Sequence, residues 1–311
     1  MKLLSYDDQR VRLAAQFALV KQQQDAALLA VAQKNDSLLA RVHAIWGLGQ
    51  LGRKQEKFVM PLVELLQDKD AEIRSQCAKV LGDAAVKSAA KALLPLLRDS
   101  SSRVRFHAAI ALSKTGDASA VEAVVAMLQE NADKDVFLRH ASITALAGVA
   151  KSDASLLEKL VQSPDESVRL SAVVALRRLS APNVRAYLND ASPLVVAEAA
   201  RAIHDDESIP AALPDLAMLL EETTSADPVL LRRSISANLR IGGSAAALRL
   251  AVFAANAKAP ESMRQEALAS LAMWTKPDPL DRVEGRYRPL EPRAASELHP
   301  ALKQCATALL G

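Results

Sequence analysis

Side chains able to do chemistry are few in this chain and poorly grouped. The five histidines stand singly at 43, 107, 140, 204 and 299, and the two cysteines, Cys77 and Cys305, form no CxxC, CxxCH or Cys/His cluster. That spacing excludes a zinc ribbon, covalent haem attachment and a disulfide framework within the chain. Gly47, Gly49 and Gly52 are closely spaced but lack the strand that a dinucleotide fold requires. There is no HExxH and no nucleophile elbow. The acid pairs Asp205/Asp206 and Glu221/Glu222 read as solvated ends beside turns. One basic cluster, Arg282, Arg286 and Arg288 around Tyr287, has the donors to grip a phosphate or an acidic partner. Its plainer reading is an insert packed on neighbouring helices. No catalytic residue, metal or cofactor is expected.

The elements that position these residues recur. An Arg, a small residue three positions on and an aliphatic at seven appear as Arg12-Ala15-Leu19, Arg41-Ala44-Leu48, Arg74-Cys77-Leu81 and Arg105-Ala108-Leu112. The series continues at Arg139, Arg169, Arg232 and Arg264, with a degenerate copy at Val196, where a weaker or kinked stack is expected. Offsets of 0, 3 and 7 share one flank of a helix, and small residues there let helices approach closely. Asp8, Asp36, Asp70, Ser101, Asp135, Asp165 and Asp227 precede these helices as N-caps. A shorter amphipathic segment comes before each helix, as in FVMPLVELLQD (58–68) and SAAKALLPLLRD (88–99). The unit is therefore helix A, turn, helix B, with nine copies 27 to 36 residues apart.

DAEIRSQCAKVL and DESVRLSAVVAL resemble the HEAT repeat over about residues 1–275. The resemblance implies an all-α, α-α superhelical solenoid of about nine repeats. It further implies an Asp/Arg ladder with rungs Asp70/Arg74, Asp135/Arg139 and Asp165/Arg169. The Pro-rich stretch 276–293 reads as an irregular basic loop, and 294–311 as a C-terminal helix, the first half of a further repeat. Narrower strings, RVHAIWGLGQLG (41–52), DKDVFLRHASITALAG (133–148), SPLVVAEAARAIHD (192–205), LLRRSISANLRIGG (230–243) and 263–290, are similar to the HEAT region of planctomycete-type membrane-bound dehydrogenases. That resemblance implies a module excised from a larger periplasmic or secreted protein with a propeller upstream and a CxxCH cytochrome downstream. The chain ends, which read as stopping mid-repeat, agree with excision.

In a HEAT superhelix, positions one and five after the Arg face the inner, concave surface. Here they are Leu13/Phe17, Val42/Trp46, Phe106/Ile110 and Leu170/Val174, with Ser75/Lys79 and His140/Thr144 between, then Arg201 and Arg233. An apolar band of this kind marks a protein-docking surface; the competing reading is that curvature buries these side chains against one another. The expected partner is protein, either neighbouring domains of a parent chain or a separate subunit. Composition fits: half the residues are hydrophobic, 3% are aromatic, and the net charge is only +3. Near-neutrality weakens the rival reading, a nucleic-acid binder like the HEAT-like alkylpurine DNA glycosylases. A bilin-lyase-like or hydroxylase-like enzyme would need ligand-bearing Cys, Tyr or His-Glu motifs, and none stands out. No apolar run reaches the length of a bilayer span.

Overall fold

The computed structural model describes residues 1–205, 209–222 and 225–310, the side chains of 222 and 306–310 excepted. The chain is all-α and falls into two compact units, Met1–Leu157 and Glu158–Gly311. In the first unit the B helices are Gln9–Lys21, Leu38–Gly52, Ala71–Asp83, Ser102–Thr115 and Val136–Val149, each packed on the next. In the second they are Glu166–Arg178, Pro193–His204, Pro228–Ile241 and Glu261–Ala272, packed in the same way. Each A element lies against the B helix that follows it, which makes the two-helix hairpin of a solenoid repeat.

Several A elements are 3-10 wound. Met60–Gln67, Leu94–Arg98 and Pro182–Asn189 each carry a proline in their first two positions, where a missing N–H costs least. Six of the B helices open on side-chain caps; Ser101, Ser192 and Pro260 precede the other three without a side-chain cap bond, so the expected Ser101 cap is not formed. Asp8, Asp70, Asp135, Asp165 and Asp227 accept N–H groups two residues on, and Asp135 also takes that of Leu138. At the second repeat the cap is Ser37 rather than Asp36, because Asn35 Oδ1 takes the Ser37 N–H and turns that hydroxyl toward Ala40 N.

Two glycines outside the 0, 3, 7 register mark the close B-to-B approaches. A Cβ on Gly148 would sit 2.0 Å from the Ser113 carbonyl oxygen, and one on Gly82 would sit 2.7 Å from Ala111. At the degenerate copy the helix itself is unkinked. Pro193–His204 is an unbroken helix packed on both neighbouring B helices, with Val195, Ala199 and Ile203 fully buried. The apolar stripe is joined there by polar ties, Arg177 to Glu198 on one side and His204 to Ser236 on the other.

The stretch 276–293 is irregular but tied down. Asp281 Oδ1 accepts the N–H groups of Val283 and Glu284, and Gly285 at φ +69° closes a tight turn under the Leu280–Tyr287 bridge. His299–Leu310 follows and packs on Gly243–Ala255. No helix among the described residues is long and apolar enough to cross a membrane.

Candidate functional site

Three of the band residues meet on the first unit. Leu13, Phe17 and Trp46, with Gly49 and Val80, line a cavity of about 510 Å³ whose other walls include Gln16, Gln76, Arg53, Lys79, Asp83, Arg103 and His107. Phe17 is 53% exposed, so curvature within the unit does not bury it. Trp46 is held in place from behind. Its Nε1–H donates to Gln76 Oε1 at 2.8 Å, Gln76 Nε2 donates to Glu72 at 2.7 Å, and Glu72 pairs with Arg103. His43 meets the indole edge-on at 5.1 Å between centroids. Arg12 Nε donates to His43 Nε2 at 3.1 Å, which leaves Nδ1–H to donate to Gln16 Oε1 at 2.8 Å. Burial, with the Arg12 charge, pushes the His43 pKa down, so the neutral ring that this network needs is the favoured one.

A second cavity of about 310 Å³ shares Arg103 and His107 with the first and is lined by Phe106, Phe137 and Leu138. Phe137 is 71% exposed. Sequence reasoning missed it because it sits two residues before the repeat's Arg, in the first helical turn. An aromatic placed two residues after the cap Asp135 was the available signal. Ile110 is half-buried and the exposed His140 lies apart; neither lines these two cavities. Val42 is corrected: it is 7% exposed, a core residue of its helix.

The second unit treats its band positions differently. Leu170 and Val174 are half-buried on Glu166–Arg178, and Arg201 pairs with Glu198 at 3.1 Å. Arg233 is not a free surface cation. It grips Asp205 with both Nε (2.9 Å) and Nη2 (2.6 Å), taking the structural role expected of Arg232. The loop arginines lie in ion pairs within the chain. Arg282 forms two bonds to Glu266, while Arg286 and Arg288 pair with Glu284.

The ladder exists with different acids. Arg74 does not pair with Asp70, nor Arg139 with Asp135, nor Arg169 with Asp165, because each of those carboxylates caps its own helix. Instead Arg41 binds Asp68, Arg74 binds Asp99 and Arg169 binds Asp190, the Asp that closes the next A element. Arg74 and Arg169 also donate to a carbonyl six residues upstream. Arg139 pairs with Asp133, in the turn before its own helix. The signal lay in LLQD, LLRD and YLND at the ends of the A elements.

One buried polar cluster went unread. His204, fully buried, places Nδ1 3.1 Å from Asp205 and Nε2 2.8 Å from Ser236 Oγ, which reaches Asp281 at 3.3 Å. Asp205 is thus a buried residue rather than a solvated end; Asp206 lies outside the described residues. Burial raises the Asp205 carboxyl, but His204 and Arg233 outweigh this and bring it down to about 2. His204, Asp205 and Glu284 have donor atoms close enough to hold a metal ion. The surroundings do not fit one: Arg233 and Arg288 already neutralise the two carboxylates, and Arg240 and Arg288 both reach the His204 carbonyl. None of the described cavities opens onto Ser236. This cluster holds the loop to the repeats.

The family model for HEAT repeats matches residues 25–84 and 59–147. No curated protein matches the chain. Among solved structures it is similar to an engineered protein (19% identity, 100% of this chain and 98% of that one, TM-score 0.42). It is also similar to the complex of CpcE and CpcF of phycocyanin lyase from Nostoc (21%, 92% and 94%, TM-score 0.39). A third likeness is to an archaeal HEAT-like repeats protein from Thermococcus onnurineus (11%, 80% and 96%, TM-score 0.41). The recurring Arg motif, the A–turn–B hairpins and the matched model agree that residues 25–147 of this all-α chain are built as HEAT repeats.

Proposed function

We propose that this chain is a non-catalytic protein-interaction module that docks a partner in the groove of its first unit. The observation that carries the reading is the groove itself: an exposed Phe17 beside a Trp46 whose orientation is set by the Gln76–Glu72 and His43–Gln16 networks. Phe17 stands open to solvent and the half-buried Trp46 is held by its hydrogen bond; a side chain fixed beforehand loses little entropy on docking, as a binding hot spot needs. The arginines that a nucleic-acid reading would call upon are largely engaged with internal carboxylates, which favours protein as the partner.

The partner is read as a neighbouring domain of a larger extracytoplasmic dehydrogenase–cytochrome protein, or a subunit of such an assembly. This finer reading rests on the strings at 41–52, 133–148, 192–205, 230–243 and 263–290. Crosslinking of the purified chain to proteins encoded beside it tests the docking reading. Trp46→Ala and Phe106→Ala should abolish the crosslinks while leaving the circular dichroism unchanged, and intact crosslinks would overturn it. The flanking coding sequence tests the parent: a propeller upstream and CxxCH downstream are expected.

A further inference from the structure

We infer that the occupant of the groove is an extended segment of a partner protein with two apolar anchors about six residues apart and acidic residues beside the first. This inference rests on the reading of the groove as a protein-docking surface and adds the chemistry of what enters it.

The anchors come from the two cavities. Phe17 and Trp46 line one, and Phe106 and Phe137 the other; Arg103 and His107 are common to both, so the two run together. Trp46 and Phe106 stand on B helices two repeats apart, roughly 20 Å at about 10 Å per packed helix. An extended chain rises about 3.3 Å per residue, so about six residues span that distance. The partner's side chains at the two ends then enter the cavities, while its backbone crosses over Arg103.

Charge fixes the flanking residues. Asp83 is the carboxylate of the first cavity, and it is shared by two lysines, Lys79 at 2.6 Å and Lys114 at 2.9 Å, which leaves one cation in excess. Arg53, exposed at the end of the Trp46 helix, has no carboxylate partner among the described residues and supplies a second. Arg103 is balanced by Glu72, and Asp135 at the far cavity is spent on the N–H groups of Phe137 and Leu138. The surplus of positive charge therefore lies at the Trp46 end. A partner carboxylate there gains a mate without stripping one from a buried pair, since the Asp83 pairs are exposed and weak.

The test uses a random dodecapeptide display library panned on the full chain, with Trp46→Ala and Phe17→Ala chains as subtractive controls. Enriched peptides should carry Asp or Glu next to a Leu or aromatic, with a second apolar residue about six positions on. A synthetic consensus peptide should bind at least tenfold more tightly than its Asn/Gln counterpart, and Arg53→Glu should lower its affinity at least tenfold. Neutral or basic peptides that still require Trp46 would overturn the charge inference and leave the docking reading standing. Peptides that bind the Trp46→Ala and Phe17→Ala chains as well as the wild type would overturn both. A DNA oligonucleotide that displaces the consensus peptide, with steep salt dependence, would transfer the groove to nucleic acid.

Discussion

Removing the carboxylate of Asp99 is the sharpest test of the ladder. Asp99 takes Arg74 Nε at 2.8 Å and Nη2 at 2.9 Å, and its Oδ1 also accepts the Ser101 N–H at 2.8 Å. The acid is 8% and the arginine 15% exposed at the side chain, so Asp99→Ala leaves a guanidinium largely out of water. Breaking such a pair from one side costs roughly 3–5 kcal/mol. The lower end applies, because Arg74 keeps its bond to the Asp68 carbonyl. The lost Ser101 bond adds about 1 kcal/mol, giving about 4 kcal/mol in all. Arg74→Met in the same chain removes the orphaned charge and should recover about 1–3 kcal/mol of coupling. Urea unfolding reports this through Trp46, which lies in the first unit; a Trp274→Phe background silences the other tryptophan. Burial raises the Asp99 carboxyl, but Arg74 and the Ser101 N–H bring it below the ordinary carboxylate range. The folded chain therefore holds that proton more weakly than the unfolded one. The pair's contribution is full above about pH 4 and fades as pH falls through the depressed value, so wild type and Asp99→Ala should converge in acid. A cost under about 0.5 kcal/mol, the size of an ordinary surface substitution, or strict additivity with Arg74→Met would refute the ladder as a stabilising device.

Three further outcomes follow from the same geometry. Gly148→Ala sets a methyl 2.0 Å from the Ser113 carbonyl oxygen, so the helices must part; a loss of about 1–3 kcal/mol is expected in thermal unfolding, and an unchanged midpoint would refute the close approach. His43 is depressed by burial and by Arg12, so the unfolded chain takes up protons first as pH falls below about 6.5; the urea midpoint of the first unit should drop from pH 8 to pH 5, less so in His43→Gln, and equal slopes would refute the assignment. Asp281→Ala removes the acceptor of Val283, Glu284 and Ser236, so trypsin should cut at Arg282 and Arg286 faster than in wild type, and equal rates would show the loop is held otherwise.

The repeat was legible because a buried helical stripe leaves a local signature. Arg, small residue and aliphatic at 0, 3 and 7 describe one flank of one helix, and Asp70, Asp135 and Asp165 cap that same helix within four residues of the Arg. The aromatic groove was half legible. Phe17 and Trp46 were found from the repeat register, yet the same register also marked Val42, which the stack buries. Phe137 escaped because a residue in the first turn is not addressed by the register of the buried stripe.

What the sequence determined alone, then, is what a single helix or turn decides: the A–B hairpins and the Asp caps at 8, 70, 135, 165 and 227. Tertiary structure decided which carboxylate each arginine meets. Asp70 and Asp68 are both near Arg74 in the chain, but Asp70 turns back to the Glu72 N–H while Asp68 reaches across to Arg41. It also decided that His204, Ser236 and Asp281 converge, although 77 positions separate the first from the last. No local pattern encodes such a meeting, because the energy that brings those groups together comes from the packing of the elements that carry them.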